Sequence, residues 1–380
     1  MDQPLLVSRR RFHALAGSAL ALTAGSALAQ GPQSQRPTAS AKRVPMLPTP
    51  RTIKCLNCDL NWARVGDKTR AATAADWANL DPQEYFDYHR QFGNNLLFFQ
   101  AYNAAGFAYY PTKLGPVAPG RGVQLLPRLW DISRQARMPF MAYMCVNYET
   151  GPESVARRHP EWLIPGTSMF APESGWTELL CQRLREFLGQ FPVEWLAFDG
   201  FDYGGLCGDY PVKPAPYVKT PFLEIIGRPM PARAEEITPA DRLKYKREVM
   251  ARQFHAIRKA VKETSPDTQI GFNVPFWRAD DPLWQGHPMV NESEMLWTES
   301  TTKDVMDWVL RIRKPGQRVM VTFYGRPDQP GLCDPTTWKK WHAQRCDFFA
   351  YVWGNPPDFH PQPYCHEALK VIRKAFDEMR

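Results

Sequence analysis

Eight short apolar segments recur between Thr52 and Asn355, and segments with helical periodicity separate them. The candidate strands, rich in Ile, Leu, Val, Phe, Tyr and Met, span 53–58, 95–100, 139–146, 194–199, 269–274, 294–299, 318–323 and 347–353. The candidate helices span 82–91, 125–135, 177–188, 240–264, 302–312, 335–345 and 366–379. This alternation predicts a single (β/α)8 barrel over residues 52–380. An open doubly wound sheet is the alternative, although no glycine-rich phosphate turn follows any candidate strand.

The first 29 residues are predicted to be an export signal. Ser8-Arg9-Arg10-Arg11-Phe12 precedes a weakly apolar run from Ala14 to Ala24, and Ala27-Leu28-Ala29 offers a small-x-small cleavage site. The arginine motif resembles the bacterial twin-arginine signal, which implies the twin-arginine export machinery as a partner; an ordinary secretory signal is the alternative. Both predict a periplasmic or secreted protein. Residues 30–51, rich in Pro, Ser and Gln, predict a disordered linker.

The composition argues against several classes of function. The chain has 47 Lys+Arg against 39 Asp+Glu with no run of five like charges, so we interpret the excess as a solvated surface and expect no nucleic-acid partner. No segment reaches ~18 uninterrupted apolar residues, so no stable membrane insertion is expected after signal cleavage. The single C-x-x-C, Cys55 and Cys58, falls inside a candidate strand and has no second pair for zinc.

One connection between candidate elements is oversized. Residues 209–239 contain seven prolines, three aromatic residues and few helix signals. In a barrel this segment follows the fourth strand on the catalytic face, where a long loop would form a wall or lid of the cleft. A purely structural excursion is the alternative.

Carboxylates stand at the predicted C-terminal ends of several strands, where barrel enzymes carry their active sites, and Asp59 follows the first strand. The fourth strand ends in Asp199-Gly200 and the sixth in Glu299. Hydrolysis of a glycosidic bond uses one ionised carboxylate and one carboxyl group that donates a proton. We assign Asp199 as the candidate nucleophile and Glu299 as the candidate acid/base, with Glu149, Glu173 and Asp202 as rivals for the second role. Strands two apart in the ring are compatible with carboxyl groups ~5–5.5 Å apart, and therefore with retention of configuration.

Other polar and aromatic residues near the strand ends are expected to line a sugar site: Tyr102, Asn147, Asp202, Asn273, Trp297, Tyr324 and Trp353. The strand ends carry no histidine cluster typical of metal-dependent hydrolases and no recognisable motif for a Ser or Cys nucleophile paired with His. No metal or organic cofactor is therefore expected. A phosphate-ester or metal-dependent hydrolase on the same fold is a minor alternative.

Three stretches resemble the α-L-fucosidase-like glycoside hydrolases: Phe92 to Thr112, Leu125 to Tyr148 and Leu184 to Gly200. The last is similar to the family's nucleophile segment, a hydrophobic strand that ends in Asp-Gly, and the resemblance implies that Asp199 attacks the anomeric carbon. The family's His-His-Asp is replaced by Asn103-Ala104-Ala105, which predicts a sugar other than fucose. His159-Pro160-Glu161-Trp162 is similar to a segment of related, poorly characterised bacterial glycosidases.

The sequence therefore predicts an exported glycoside hydrolase with a two-carboxylate retaining mechanism and a carbohydrate substrate. A chitinase is disfavoured, because Gly204 and Leu206 stand where the chitinase signature has its third Asp and its catalytic Glu. The alternative from another class is a catalytically inactive carbohydrate-binding barrel, with which the substituted His-His-Asp is equally compatible.

Overall fold

Parallel strands alternate with helices throughout the computed structural model, which describes residues 44–65, 68–73, 75–151, 153–201, 210–211, 215–273, 281–299, 302–325 and 337–379. The strands within these ranges are β1 Lys54–Val65, β2 Lys68–Ala71, β3 Leu97–Gln100, β4 Phe140–Cys145, β5 Trp195–Asp199, β6 Gln269–Asn273, β7 Met295–Thr298, β8 Arg318–Tyr324 and β9 Asp347–Gly354. The α-helices are α1 Pro82–Phe92, α2 Leu125–Gln135, α3 Val155–Arg158, α4 Trp176–Gln190, α5 Pro216–Ile226, α6 Pro239–Thr264, α7 Pro288–Glu292, α8 Lys303–Ile312, α9 Trp338–Ala343 and α10 His366–Glu378.

All eight candidate strands are present, with small shifts at their ends. The structure adds β2, which the sequence pattern did not reveal, because β1 continues to Val65 and pairs antiparallel with β2 in a hairpin. The predicted export signal, residues 1–29, and most of the predicted linker lie outside the described residues. The last linker residues contact the sheet: the backbone N–H of Leu47 donates to Glu194 (2.8 Å), and Trp195 Nε1 donates to Thr49 Oγ1 (3.0 Å).

The strands form one nine-stranded sheet in the order β2-β1-β9-β8-β7-β6-β5-β4-β3. Every pairing except that of β1 with β2 is parallel. From β3 to β9 each strand pairs with its successor in the chain, so the order never reverses as it does in a doubly wound sheet. The structure therefore excludes the doubly wound alternative.

Side-chain amides join the two ends of the parallel ladder, β1 and β3. Asn94 accepts from the backbone N–H of Leu56 (2.8 Å) and donates to its carbonyl (3.0 Å). Asn95 accepts from the N–H of Lys54 through its side chain (2.8 Å) and donates to the Lys54 carbonyl through its backbone (3.0 Å). The sheet thus curls so that side chains bridge β3 and β1, while the described residues of these two strands form no backbone ladder with each other. A fully closed (β/α)8 barrel is not confirmed; a curled, half-barrel sheet is shown.

Aromatic rings fill the inside of the curl. Phe349 on β9 lies 4.8 Å from Phe98 on β3 and 4.9 Å from Trp297 on β7, measured between ring centroids. These rings belong to β3, β7 and β9, which are not neighbours in the sheet. Their mutual contacts therefore stabilise the curled shape of the sheet. The helices cover the outer face, as the apolar composition of the strands predicts.

The segment 209–239 is not a loop throughout, contrary to the expectation from its prolines. Residues 216–226 form α5, which begins at Pro216. Proline fits the first helical turn because its missing N–H needs no partner there, and Gly227 ends the helix at φ +83°. The side chains of Val218 and Phe222, which belong to α5, are buried. Among the helices in the described ranges, none is both long enough and apolar enough to cross a membrane.

The seam between β1 and β3 gives a first test of this fold. Replacing Asn94 by alanine leaves a buried N–H and a buried carbonyl of Leu56 without partners, so we expect a loss of about 2–4 kcal/mol in the free energy of unfolding. Asn95→Ala is the matched control: its side-chain bonds are only partly buried, water can replace them, and a loss near 1 kcal/mol is expected. Urea unfolding of both variants measures the difference, and equal losses would contradict the assignment of Asn94 to the seam.

Candidate active site

Asp199 ends β5 and has both carboxylate oxygens oriented by donors. Oδ1 accepts from the backbone N–H of Gly200 (2.7 Å), and Oδ2 accepts from the hydroxyl of Tyr143 on β4 (2.9 Å). Gly200 has φ +78°, and a Cβ there would lie 3.0 Å from the Tyr148 ring. The Asp-Gly pair is therefore required locally, because only glycine turns the chain here without strain or a clash.

A single amide links Asp199 to the other candidate carboxylate. Asn273, the last residue of β6, donates through Nδ2 to Asp199 Oδ1 (3.1 Å) and to Glu299 Oε1 (2.9 Å). These two carboxylate oxygens are no more than about 6 Å apart, since both bonds share one nitrogen atom. The side chain of Asn273 is itself buried, so the packing of the sheet fixes this separation.

Glu299, directly after β7, has a donor on each oxygen. Its Oε2 accepts from the hydroxyl of Tyr324 at the end of β8 (2.6 Å). Asp199 and Glu299 are both half-buried, whereas Tyr324 is buried. The structure therefore brings four of the predicted site residues into one hydrogen-bonded group: Asp199, Asn273, Glu299 and Tyr324. Their roles remain predictions.

A third carboxylate, Asp59 on β1, belongs to the same end of the sheet and was not among the predicted site residues. It accepts from the hydroxyl of Tyr351 (2.5 Å), from Gln100 Nε2 (3.1 Å) and from the backbone N–H of Asn61 (2.9 Å). Complete burial raises the pKa of Asp59 to about 7; its hydrogen bonds with Tyr351 and Asn61 oppose the rise, and the charges of Asp199 and Glu299 add to it. The sequence pattern places Asp59 at a strand end but indicates no role for it in the site.

A sequence signal for this third carboxylate did exist. Asp59 directly follows the apolar part of the first strand. The two-residue period of a strand places Tyr351, which donates to Asp59, on the same face of its strand as Trp353. Trp353 Nε1 donates to the hydroxyl of Tyr351 (3.0 Å), and both side chains are partly exposed. Trp353 therefore lies beside the carboxylate group, and its contact with a sugar stays a prediction.

Trp297 lies beneath the site. Its side chain is 3% exposed, its Nε1 donates to the hydroxyl of Thr322 (2.7 Å), and its ring packs on Phe349. It supports the floor of the site from inside the curl, so a role in stacking on a sugar does not follow from this position.

Two other predicted site residues face the helix layer, and one cannot be placed. Asn147 Oδ1 accepts from Gln253 of α6 (2.8 Å). The ring of Tyr102 lies 4.3 Å from the guanidinium carbon of Arg183 on α4. Asp202 lies outside the described residues.

Two of the rivals for the acid/base role have structural partners. Glu149 forms a buried ion pair with Arg183 (2.5 Å) and accepts from the N–H of Val155 (2.8 Å). Glu173 accepts from the hydroxyls of Tyr210 (2.7 Å) and Tyr245, and burial raises its pKa. Both carboxylates bond to residues of the surrounding loops and helices, and neither has a hydrogen bond to Asp199 or Glu299 among the described residues.

The C-x-x-C pair does not form a site on β1. Cys55 packs inside the curl and Cys58 packs under the helices, because residues three apart on a strand face opposite sides. Burial raises the pKa of both thiols. In the described part of the chain, no cluster of three His, Cys, Asp or Glu side chains could hold a metal ion.

Several solved structures share this fold. The α-L-fucosidase isoenzyme 2 from Paenibacillus thiaminolyticus matches with a TM-score of 0.57 and 15% identity, over 80% of this chain and 47% of that one. The α-L-fucosidase AlfC from Lactobacillus casei with α-L-fucose product (TM-score 0.42, 11% identity) and the α-fucosidase from Thermotoga maritima (0.42, 12%) match over 80% of this chain and 82% and 56% of their own. No protein-family model and no curated protein matches the sequence.

These matches define a fold and its extent. Of the three structures, the Paenibacillus enzyme alone exceeds a TM-score of 0.5, and the chain spans about half of that enzyme's length. At 15% identity the likeness concerns the fold alone. The chain therefore has an α-L-fucosidase-like fold, in agreement with the resemblance found in the sequence.

The ion pair between Glu149 and Arg183 yields a stability prediction. Arg183→Met leaves the buried Glu149 carboxylate without its cation, so we expect the free energy of unfolding to fall by about 3–5 kcal/mol. The double variant Glu149→Gln/Arg183→Met removes both charges and is expected to recover a large part of that loss. Chemical unfolding of the three proteins measures it. A double variant no more stable than Arg183→Met would show that the pair is not the source of the loss.

Proposed function

We propose that this protein is a glycoside hydrolase that retains configuration, with Asp199 as nucleophile and Glu299 as acid/base, on a (β/α)8 barrel. The observation that carries the proposal is the Asn273 amide, which holds Oδ1 of Asp199 and Oε1 of Glu299 no more than about 6 Å apart, close enough to be compatible with a retaining pair. Retaining enzymes place their carboxyl groups ~5–5.5 Å apart, whereas inverting enzymes need ~6.5–9.5 Å to admit a water molecule. The separation here favours direct attack by a carboxylate.

Under this proposal each group has a task in the first half-reaction. An oxygen of Asp199 forms a bond to the anomeric carbon while Glu299 transfers its proton to the departing glycosidic oxygen. The donors on Asp199 come from β4, β6 and the backbone of Gly200, so the nucleophile needs little reorganisation before attack. In the second half-reaction Glu299 takes a proton from water, which then attacks the anomeric carbon and releases Asp199.

The fucosidase-like fold suggests one class of substrate, and the segment Asn103 to Ala105 suggests how the substrate of this protein differs. The solved neighbours are named as α-L-fucosidases, so an α-L-fucoside is the first candidate substrate. Asn103, at the position of the family's His-His-Asp, is buried and accepts from the N–H of Phe107 (3.0 Å), so it serves a turn. Ala104 and Ala105 offer no polar side chain. We therefore propose a related sugar that needs no polar contact at this segment.

The substituted segment also supports a second candidate function, a carbohydrate-binding barrel without turnover. A barrel that has lost the polar sugar contacts of this segment could keep the carboxylates as hydrogen-bond acceptors for hydroxyl groups. For either function we propose export by the twin-arginine route, on the basis of the Ser8-to-Phe12 motif, and action on carbohydrate outside the cytoplasm.

Hydrolysis of aryl glycosides tests the nucleophile. We expect purified residues 30–380 to turn over at least one member of a panel of α-L-fucoside, α- and β-galactoside, α- and β-glucoside, β-xyloside and α-L-arabinoside. Asp199→Asn should lower kcat at least ~10³-fold, because losing a covalent nucleophile costs no less than losing one oxyanion-hole donor. Affinity for the sugar, measured by calorimetry, should change little. Sugar binding without turnover in the unaltered protein would favour the binding barrel.

The acid/base is tested separately through the leaving group. Glu299→Gln should slow hydrolysis of glycosides with poor leaving groups far more than that of a dinitrophenyl glycoside, which needs no proton to depart. Glu173→Gln is the matched control, because its partners are Tyr210 and Tyr245 outside the group around Asp199. Equal losses for good and poor leaving groups in Glu299→Gln would reject this residue as the proton donor.

A further inference from the structure

Asn273 is the point at which the two candidate catalytic carboxylates meet. Its Nδ2 donates to Asp199 Oδ1 (3.1 Å) and to Glu299 Oε1 (2.9 Å). A carboxamide nitrogen carries two hydrogens. The two bonds therefore use the whole donor capacity of this nitrogen, and no N–H remains for a hydroxyl group of a substrate.

The oxygen of the same amide is closed to a ligand as well. Asn273 is 6% exposed, and its Oδ1 is a buried atom with no hydrogen-bond partner in the described part of the chain. A sugar hydroxyl cannot approach such an oxygen to hydrogen-bonding distance unless the end of the strand rearranges. The position of Asn273 therefore does not fit the sugar-binding role that the sequence predicts for it.

The place of β6 in the sheet explains why this side chain contacts both carboxylates. β6 lies between β5, which ends in Asp199, and β7, which Glu299 directly follows. Asn273 is the last residue of β6 and pairs in register with Trp297, two residues before Glu299. Because neighbouring strands are about 4.8 Å apart, a short side chain at the end of the middle strand reaches acceptors on both sides.

Three other donors in the described part of the chain bond to one carboxylate each. Asp199 accepts from the N–H of Gly200 (2.7 Å) and from the hydroxyl of Tyr143 (2.9 Å). Glu299 accepts from the hydroxyl of Tyr324 (2.6 Å). The shared amide differs from these donors because it bonds to both carboxylates, so its loss would release the two groups together.

We propose that Asn273 is a positioning residue that fixes the nucleophile and the acid/base relative to each other, and that it does not bind the sugar. The inference rests on the proposed function, because it assigns Asn273 a part in the same reaction. Both carboxylates act in both half-reactions, Asp199 as nucleophile and then leaving group, Glu299 as acid and then base. Loss of the amide is therefore expected to slow the chemistry and to leave affinity for the sugar nearly unchanged.

The leaving group separates the effect of Asn273 from that of Glu299. A dinitrophenyl glycoside departs without a proton, so loss of the acid alone spares the first half-reaction, which kcat/KM reports. Asn273→Ala also removes a donor from the nucleophile. For the sugar that the unaltered protein hydrolyses, we expect kcat/KM to fall about 10²-fold with the dinitrophenyl glycoside and further with a poor leaving group. An unchanged kcat/KM for the dinitrophenyl glycoside would overturn the proposal.

Affinity and shape distinguish positioning from sugar binding. Calorimetry with the free sugar should show a change in Kd of less than about threefold in Asn273→Ala, whereas loss of a sugar-binding residue weakens binding as much as it lowers kcat/KM. Asn273→Asp keeps the size of the side chain but places an acceptor where the amide has its donor. It should therefore lose at least as much kcat/KM as Asn273→Ala. Near-normal activity in Asn273→Asp would contradict the positioning role.

Asn94→Ala is the matched control for the loss of a buried asparagine. The amide of Asn94 is also buried, but it bonds to the backbone of Leu56 at the seam. This variant should lower the free energy of unfolding and leave kcat/KM of the folded protein unchanged for both leaving groups.

Crystal structures without substrate test the role independently of turnover. In Asn273→Ala and Asn273→Asp, the distance between Asp199 Oδ1 and Glu299 Oε1 should exceed the limit of about 6 Å that the shared nitrogen imposes. If one variant does not fold, the other gives the answer, and an unchanged separation would overturn the proposal. Absence of turnover in the unaltered protein would instead contradict the proposed function, and the structures would still show whether Asn273 holds the pair.

Discussion

Burial of aromatic rings inside the curled sheet is the interaction on which the rest of the structure depends. Phe98, Trp297 and Phe349 come from β3, β7 and β9, and their mutual contacts pull the two ends of the parallel ladder together. Rings of this size bury enough apolar surface to offset a seam that lacks a regular ladder. The asparagine amides then satisfy the backbone groups that the seam leaves without strand partners. Once the sheet is curled, the C-terminal ends of its strands converge. The polar side chains at those ends therefore lie close together in one site.

The site places three carboxylates close together, which is unfavourable unless the protein supplies compensation. It does so with neutral donors at fixed positions: the amide of Asn273 shared by Asp199 and Glu299, and the hydroxyls of Tyr143, Tyr324 and Tyr351. Neutral donors satisfy the oxygens without cancelling their charge, whereas a cation bound to each would. With these donors, the field that the described residues produce at the carboxylates would suit the proposed reaction, in which positive charge develops on the substrate. Repulsion among carboxylates lowers the free energy of unfolding. Burial of the aromatic rings inside the curl raises it and so offsets that loss.

Much of the fold followed from the sequence, because strand and helix periods are local signals. Eight of the nine described strands are visible as apolar runs, and the polar residues at the ends of β5, β6, β7 and β8 meet in one hydrogen-bonded group. The pattern could not show which way a side chain turns beyond its strand: Asn147 faces Gln253 of α6, and Trp297 lies under the floor. It could not show α5 either, because this helix contains Pro221 in its interior, where proline ordinarily argues against a helix. Asp59 was visible at the end of the first strand but received no role, because its hydrogen bond with Tyr351 joins residues about 290 positions apart along the chain.

The segment Asn103 to Ala105 and the third carboxylate, Asp59, are connected by hydrogen bonds through Asn61, and this connection bears on sugar specificity. Where the related family carries polar side chains after its second strand, this chain has Asn103 committed to a turn and two alanines, and Ala104 donates its N–H to Asn61 (2.8 Å). Asn61 also donates its own N–H to Asp59. The segment Asn103 to Ala105 is buried and is tied through Asn61 to the strand that carries Asp59. A sugar at this edge of the sheet would meet the partly exposed indole of Trp353, not the buried alanines. Its specificity would then come from ring shape and stacking more than from hydroxyl contacts at this segment.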